Sequence, residues 1–285
     1  MPETRFVAAC VQMRSGRDPG ANRDAAVAGV RDAASRGAQF VQTPEMTSLV
    51  ERDRARLFAV VRGQDEDETL AALRDAARET GTVVQIGSLA IRAGEKIANR
   101  AFLIGADGAI VAAYDKLHLF DVDLPSGERW RESSTYTGGA CAVVAPTPWA
   151  EIGLGICYDI RFPALYRALA EAGASVLTAP ACFTRQTGEA HWHVLHRARA
   201  IETGSFMISA AQGGTHEDGR ETYGHSLIVD PWGRVLADAG GAEPGVILAE
   251  IDLSAVADAR ARIPSLQHGR PFTVERVGSL GTAPS

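Results

Sequence analysis

The chain is expected to fold as an α/β protein, on three observations. Short apolar runs that stop at polar or turn residues alternate with longer stretches whose apolar residues recur at helical spacing. From residue 100 onward, strand-like pairs flank turn sequences such as Ala106-Asp107-Gly108 and Asp230-Pro231-Trp232-Gly233. Helical periods continue among those pairs. Sheets of mixed strand direction with helices outside them are therefore expected, most simply two sheets.

Each element follows in order. Residues 5–13 read as a strand running into the interior. Over 22–37, Ala26, Val27, Val30, Ala33 and Ala34 fall at helical spacing, and Gly37 offers a C-cap. Residues 40–41 form a short strand that ends at Pro44-Glu45. A second helix over 66–80 is closed by Gly81, and 82–91 is the next strand. Residues 100–104 and 110–114 form a hairpin, and 141–145 and 153–157 are two more strands joined across 146–149. A helix over 163–172 leads to a strand over 175–179, and a long helix over 189–203 to a strand over 206–211. Residues 223–229 and 235–237 flank the second turn, 246–251 is the last strand, and 254–262 a short helix. No Gly/Ser or Pro linker and no short repeat interrupts this range. One domain over 1–277 is expected, with a loose tail over 278–285.

Hydrophobic residues make up 46% and charged residues 22% of the 285, a composition suited to a core that needs no cross-links. The net charge of −6, from 35 acidic and 29 basic residues, argues against nucleic-acid or anionic-membrane partners. The start, Met1-Pro2-Glu3-Thr4-Arg5, has no basic segment followed by an apolar one, and no run is long enough to span a bilayer. A cytoplasmic location is expected, where Cys10, Cys141, Cys157 and Cys182 would be free thiols. They show no metal-ligand spacing. His193 and His196 stand at i, i+3, so a metal pair is conceivable. The expectation is instead of structural histidines on a helix at a subunit interface, with no metal and no cofactor.

Three residues carry the chemistry. Cys157 ends an apolar run, Ile152-Gly153-Leu154-Gly155-Ile156, just before a helix starts near Pro163. Such a strand-to-helix turn exposes a side chain and aims backbone N–H groups at a ligand. A core cysteine at a strand end fits that segment equally well. Glu45 follows a buried strand directly, where open α/β sheets place their sites, and alone it would be a solvated carboxylate. Lys116, in Asp115-Lys116-Leu117-His118-Leu119-Phe120, also follows a strand and alone would be a surface charge. Together they make a working set. A thiol needs a base, for which a carboxylate held near neutral by burial can serve. The oxyanion formed on attack needs positive charge or donors, from Lys116 and the Tyr158 N–H.

Pro44-Glu45, the 115–120 segment and Gly153-Leu154-Gly155-Ile156-Cys157-Tyr158-Asp159 resemble, in order, the three signature segments of the nitrilase, or carbon–nitrogen hydrolase, superfamily. The resemblance extends from Phe6 to about Phe272. It implies an αββα sandwich, two mixed β-sheets between outer helix layers, that commonly dimerises through outer helices. It also implies a second glutamate at Glu132, holding Lys116 and the substrate amide in position. The reaction it implies is hydrolysis of a small-molecule amide through a thioester.

Within that superfamily, Tyr158-Asp159 after the cysteine disfavours a nitrile substrate, and the single Arg161 departs from the paired arginines of many carbamoylases. Residues 183–192 resemble the Nit-type amidases, comprising ω-amidases on 2-oxo acid amides and deaminated-glutathione amidases. Residues 210–216 and Tyr223-Gly224-His225-Ser226 are more similar to the second type, whereas residues 47–62 depart from it. The resemblance implies that Arg161 binds a substrate carboxylate and that Phe183, Thr184 and Thr187 line the pocket, while a salt bridge bracing the turn fits Arg161 equally well. The remaining alternatives are an ω-amidase on 2-oxoglutaramate, an N-carbamoyl amino acid hydrolase and, least favoured, a non-catalytic scaffold.

Overall fold

Side-chain alternation along the first strands divides their apolar residues between two cores. The computed structural model describes residues 4–124, 127 and 129–277, so the expected tail over 278–285 lies outside the described residues. The first half runs β1 (Arg5–Gln12), α1 (Pro19–Ser35), β2 (Phe40–Gln42), α2 (Arg54–Val60), α3 (Glu68–Thr80), β3 (Val83–Ala93), β4 (Lys96–Ile104) and β5 (Ile110–Asp115). Short strands β6 (Asp121–Asp123), β7 (Arg129–Arg131) and β8 (Tyr136–Thr137) follow. Then come β9 (Val143–Pro146), β10 (Glu151–Leu154), α4 (Pro163–Glu171), β11 (Val176–Thr178), α5 (Arg185–Thr203) and β12 (Phe206–Ser209). The chain closes with β13 (Gly213–Thr215), β14 (Glu221–Tyr223), β15 (Leu227–Val229), β16 (Val235–Asp238), β17 (Gly245–Asp252) and α6 (Ser254–Arg262).

One sheet has the order β17-β1-β2-β3-β4-β5, with β8 also on β4, and the other the order β16-β15-β12-β11-β10-β9. Each has a parallel triplet at its heart, β1-β2-β3 and β10-β11-β12, flanked by antiparallel strands. Phe6, Ala8 and Cys10 of β1 and Ala101 and Leu103 of β4 face the core shared with Ile152, Val176 and Met207 of the second sheet. The alternate residues Ala9, Val11, Phe102 and Ile104 face the other way, against Val30 of α1 and Leu73 of α3. Period-two strands buried on both faces thus give an αββα sandwich.

The expected and observed boundaries differ where local chemistry overrides periodicity. The first helix begins at Pro19, because the Asp18 side chain accepts from the Gly20 and Ala21 N–H groups. The expected 153–157 strand stops at Leu154. At Gly155 a Cβ would sit 2.5 Å from the Tyr166 hydroxyl oxygen and 2.9 Å from the Thr178 carbonyl oxygen, so the backbone leaves the sheet at close quarters. The expected 223–229 strand is split, since Gly224 and His225 have φ of 70° and 55°, which no strand accommodates. The hairpins β6–β7 and β13–β14, and helix α2, were not foreseen.

Candidate active site

Five segments deliver residues beyond strand ends to one cavity. Glu45 follows β2, Lys116 follows β5, Cys157 follows β10, Cys182 follows β11 and Glu132 follows β7. For β2, β10 and β11 these are the carboxyl ends of parallel strands, where open α/β sheets collect their ligands.

The Glu45 loop is pinned from both sides. Met46 has φ of 55° and donates its N–H to Ser88 Oγ at 2.9 Å, while Gln212 Nε2 donates to the Glu45 carbonyl at 3.1 Å. Gly87 makes this approach possible: a Cβ there would lie 2.2 Å from the Thr43 carbonyl oxygen and 2.5 Å from that of Pro44. Lys116 is fixed through its backbone, with its N–H on the Asn99 carbonyl at 3.0 Å.

Cys157 sits on a 3₁₀ turn, Cys157–Arg161, with φ of 49°, a strained value for a residue with a side chain. Buried Asp159 holds that turn. It accepts from the Ile156 N–H at 2.9 Å, the Tyr114 hydroxyl at 2.7 Å and the His118 N–H at 3.0 Å. The His118 ring packs on Phe162, centroids 3.5 Å apart. Asp159 therefore ties the Cys157 turn to the segment after Lys116.

The side chains converge on Lys116. Its Nζ donates to Glu45 Oε1 at 2.9 Å and to the Glu132 oxygens at 3.2 and 3.0 Å. Asn99 Nδ2 bridges the same two carboxylates, at 2.9 Å to Glu45 and 3.2 Å to Glu132. The Cys182 N–H donates to Glu45 Oε2 at 2.8 Å, and the Phe120 N–H to Glu132 Oε2 at 2.6 Å. Glu45, Lys116 and Cys157 are all buried.

Charge states follow from this geometry. Burial would raise the Glu45 carboxyl, but Lys116 and the hydrogen bonds around it hold it below its ordinary value of 4.5. A base tuned toward neutrality by burial is thus replaced by a carboxylate kept ionised. Burial would lower Lys116, yet the charges of Glu132 and Glu45 hold its ammonium well above 10.5. Burial, and then the Glu45 charge, push the Cys157 thiol well above 9.0 against the pull of Lys116. The resting set is therefore carboxylate, ammonium and neutral thiol.

These residues open into a cavity of about 330 Å³ whose walls include Phe183, Thr184 and Thr187, together with Met46, Trp130, Tyr136, Tyr158 and Arg220. Arg161 is not on that wall. Its Nη1 donates to His191 Nδ1 at 3.2 Å, and its guanidinium lies 5.1 Å from the Phe183 ring and 5.9 Å from that of Tyr158. Sequence reasoning missed Asn99, Asp159, Cys182 and Arg220. Only Asp159 had a signal, as a carboxylate two residues past the cysteine in an otherwise apolar stretch. Nor do His193 and His196 form a pair. His196 is buried with both ring nitrogens engaged, by the Trp192 carbonyl and Ser209 Oγ, whereas His193 meets Asp238.

A sandwich of this topology, with a buried cysteine, lysine and glutamate and a part-buried second glutamate at one cavity, is the arrangement of a hydrolase of amide carbon–nitrogen bonds. The carbon-nitrogen hydrolase family profile matches residues 7–261, and the chain belongs to that family. It is 40% identical to human (Homo sapiens) deaminated glutathione amidase over 98% of this chain and 85% of that protein. It is 39% identical to deaminated glutathione amidase of Synechocystis sp., over 92% of this chain and 97% of that protein. Among solved structures, the C. elegans NitFhit protein superposes with a TM-score of 0.87 at 34% identity, covering 95% of this chain and 66% of that one.

Proposed function

We propose that the chain is a cysteine amidase for a small carboxylate-bearing amide, deaminated glutathione or a related 2-oxo acid amide. The convergence of Glu45, Lys116 and Cys157 on the wall of one cavity carries this reading. Ionised Glu45 takes the thiol proton as Cys157 Sγ attacks the amide carbon. The oxyanion meets the Lys116 ammonium and the Tyr158 N–H, while Glu132 and Asn99 position Lys116. The neighbouring Cys157 and Asp159 N–H groups are already spent on the Pro180 and Ile156 carbonyls, which supports giving this task to Tyr158. Glu45 then protonates the leaving amine and activates the water that hydrolyses the thioester. Phe183, Thr184 and Thr187 contact the substrate, and Arg161 shapes the pocket from behind Phe183 and Tyr158.

Incubation with deaminated glutathione, 2-oxoglutaramate and an N-carbamoyl amino acid tests the assignment. Release of 2-oxoglutarate with a cysteinylglycine amine from the first is expected to be fastest. Faster ammonia release from the second selects the ω-amidase alternative, and carbon dioxide from the third the carbamoyl one.

The same proposal includes a single domain over 1–277, a cytoplasmic location and a homodimer or higher homo-oligomer. Val194 and Ile201 on α5 and Trp232, Val235 and Leu236 at β15–β16 expose apolar surface on an outer layer, which supports self-association there. Light scattering should give at least twice the chain mass, lowered by Val194→Glu.

A further inference from the structure

The cavity holds a second, part-buried cation whose donors are only weakly or partly met. Arg220 precedes β14, and its side chain is 15% exposed. A guanidinium has five N–H donors and no acceptor, and hiding it from water without partners is costly. Arg220 Nη1 donates to Cys182 Sγ at 3.4 Å, a weak acceptor. Its Nη2 stands 3.7 Å from Asp218 Oδ2, beyond hydrogen-bond range, and its Nε has no acceptor among the described residues. The planar group lies over Trp130, 4.5 Å from the ring centroid, which fixes its plane without using its donors.

Charge and reach decide what it can hold. At Lys116 one cation faces two carboxylates, so that end of the cavity repels a further anion. Cys182 bridges the two ends, its N–H on Glu45 at 2.8 Å and its sulfur on Arg220 at 3.4 Å. Covalent geometry then puts the guanidinium within roughly 10 Å of the Glu45 carboxylate. An acyl group attacked at Cys157 could carry a carboxylate a few methylenes away to that point.

We propose that Arg220 is the specificity-determining residue that receives the carboxylate of the substrate's acyl portion, selecting monoamides of short dicarboxylic acids. The inference rests on the amidase reading for the word substrate, but its test involves no turnover. Glutarate and its dimethyl ester are titrated as protectants of Cys157 against iodoacetamide, read by peptide mapping, in the intact wild type, Arg220→Lys and Arg220→Met. Glutarate is expected to protect the wild type far better than the ester. Arg220→Met should weaken protection by glutarate at least tenfold and leave the ester unchanged, with Arg220→Lys between them. Equal protection by acid and ester in the wild type overturns the proposal, and that comparison needs no variant to fold. So does undiminished glutarate protection in a folded Arg220→Met protein. Arg220-dependent protection together with no hydrolysis of any amide would instead overturn the amidase reading and leave the anion site standing.

Discussion

Lys116 and Arg220 are two cations on the walls of one cavity, and the protein treats them in opposite ways. Lys116 meets three carboxylate oxygens from Glu45 and Glu132 within 3.2 Å, and Asn99 ties those carboxylates together. Arg220 has a thiol at 3.4 Å, a carboxylate at 3.7 Å and an aromatic ring. One charge is fixed by its surroundings and can meet an oxyanion without moving, which is what preorganisation requires. The other keeps donors in reserve, which suits a ligand that must arrive and leave.

The largest effects should come from the fully partnered end. Cys157→Ala should abolish turnover, because Cys182, the other thiol on the cavity wall, has its N–H on the base and its sulfur on Arg220. Lys116→Ala should cost about a hundredfold to a thousandfold in kcat. It should also destabilise by about 3–5 kcal/mol, since it strands the buried Glu45 carboxylate beside the part-buried Glu132. Activity assays with thermal melts check both, and an unchanged melting temperature would show that Lys116 is no more bound to its surroundings than Arg220. Arg220→Met should show the reverse: weaker binding of acids and little loss of stability.

Glu45→Gln, at the same end, is expected to cost about a hundredfold to ten-thousandfold in kcat with a smaller change in KM, measured by steady-state kinetics. The same residue sets the acid limb. Its folded pKa lies below 4.5, so its contribution to stability is present above 4.5 and lost only as pH falls through the lower folded value. Lys116 is raised, so its contribution is present below 10.5 and lost only as pH climbs through a higher one. The kcat/KM profile should therefore have its acid limb centred below pH 4.5, and an acid limb centred at 6 or 7 would refute the ionised base.

The smallest effect is expected at Arg161. Arg161→Lys should reduce kcat/KM a few-fold, and alike for an acid amide and its ester, because its guanidinium lies off the cavity wall behind Phe183 and Tyr158. A loss confined to the acid would give Arg161 the task assigned here to Arg220.

Glu45, Lys116 and Cys157 each end an apolar run, but taken singly such positions suit a solvated carboxylate, a surface charge and a core cysteine. As a set, and within the three family segments in order, they were legible in the sequence. Asn99 was not, since a buried amide in the middle of β4 matters only through carboxylates that the fold brings from distant positions. Arg220 follows an ordinary Asp218-Gly219 turn and looks like any surface arginine until Trp130 and Cys182 close over it. Fold class and most helices were legible from period alone. The three-residue hairpin β6–β7 was not, because its strands are charged and are held by Arg131 gripping both oxygens of Asp123 at 2.9 Å.

The tethering of Glu45 has a kinetic consequence. With Oε1 held by Lys116 and Asn99 and Oε2 by the Cys182 N–H, the carboxylate has no second orientation from which to work. In the proposed reaction it must serve the departing amine and the incoming water from a single seat. The first product therefore has to vacate before the second half-reaction starts, and the order of events is ping-pong. Any small amine able to take that seat, such as hydroxylamine, should compete with water for the acyl group. A hydroxamate would then form at the expense of the acid.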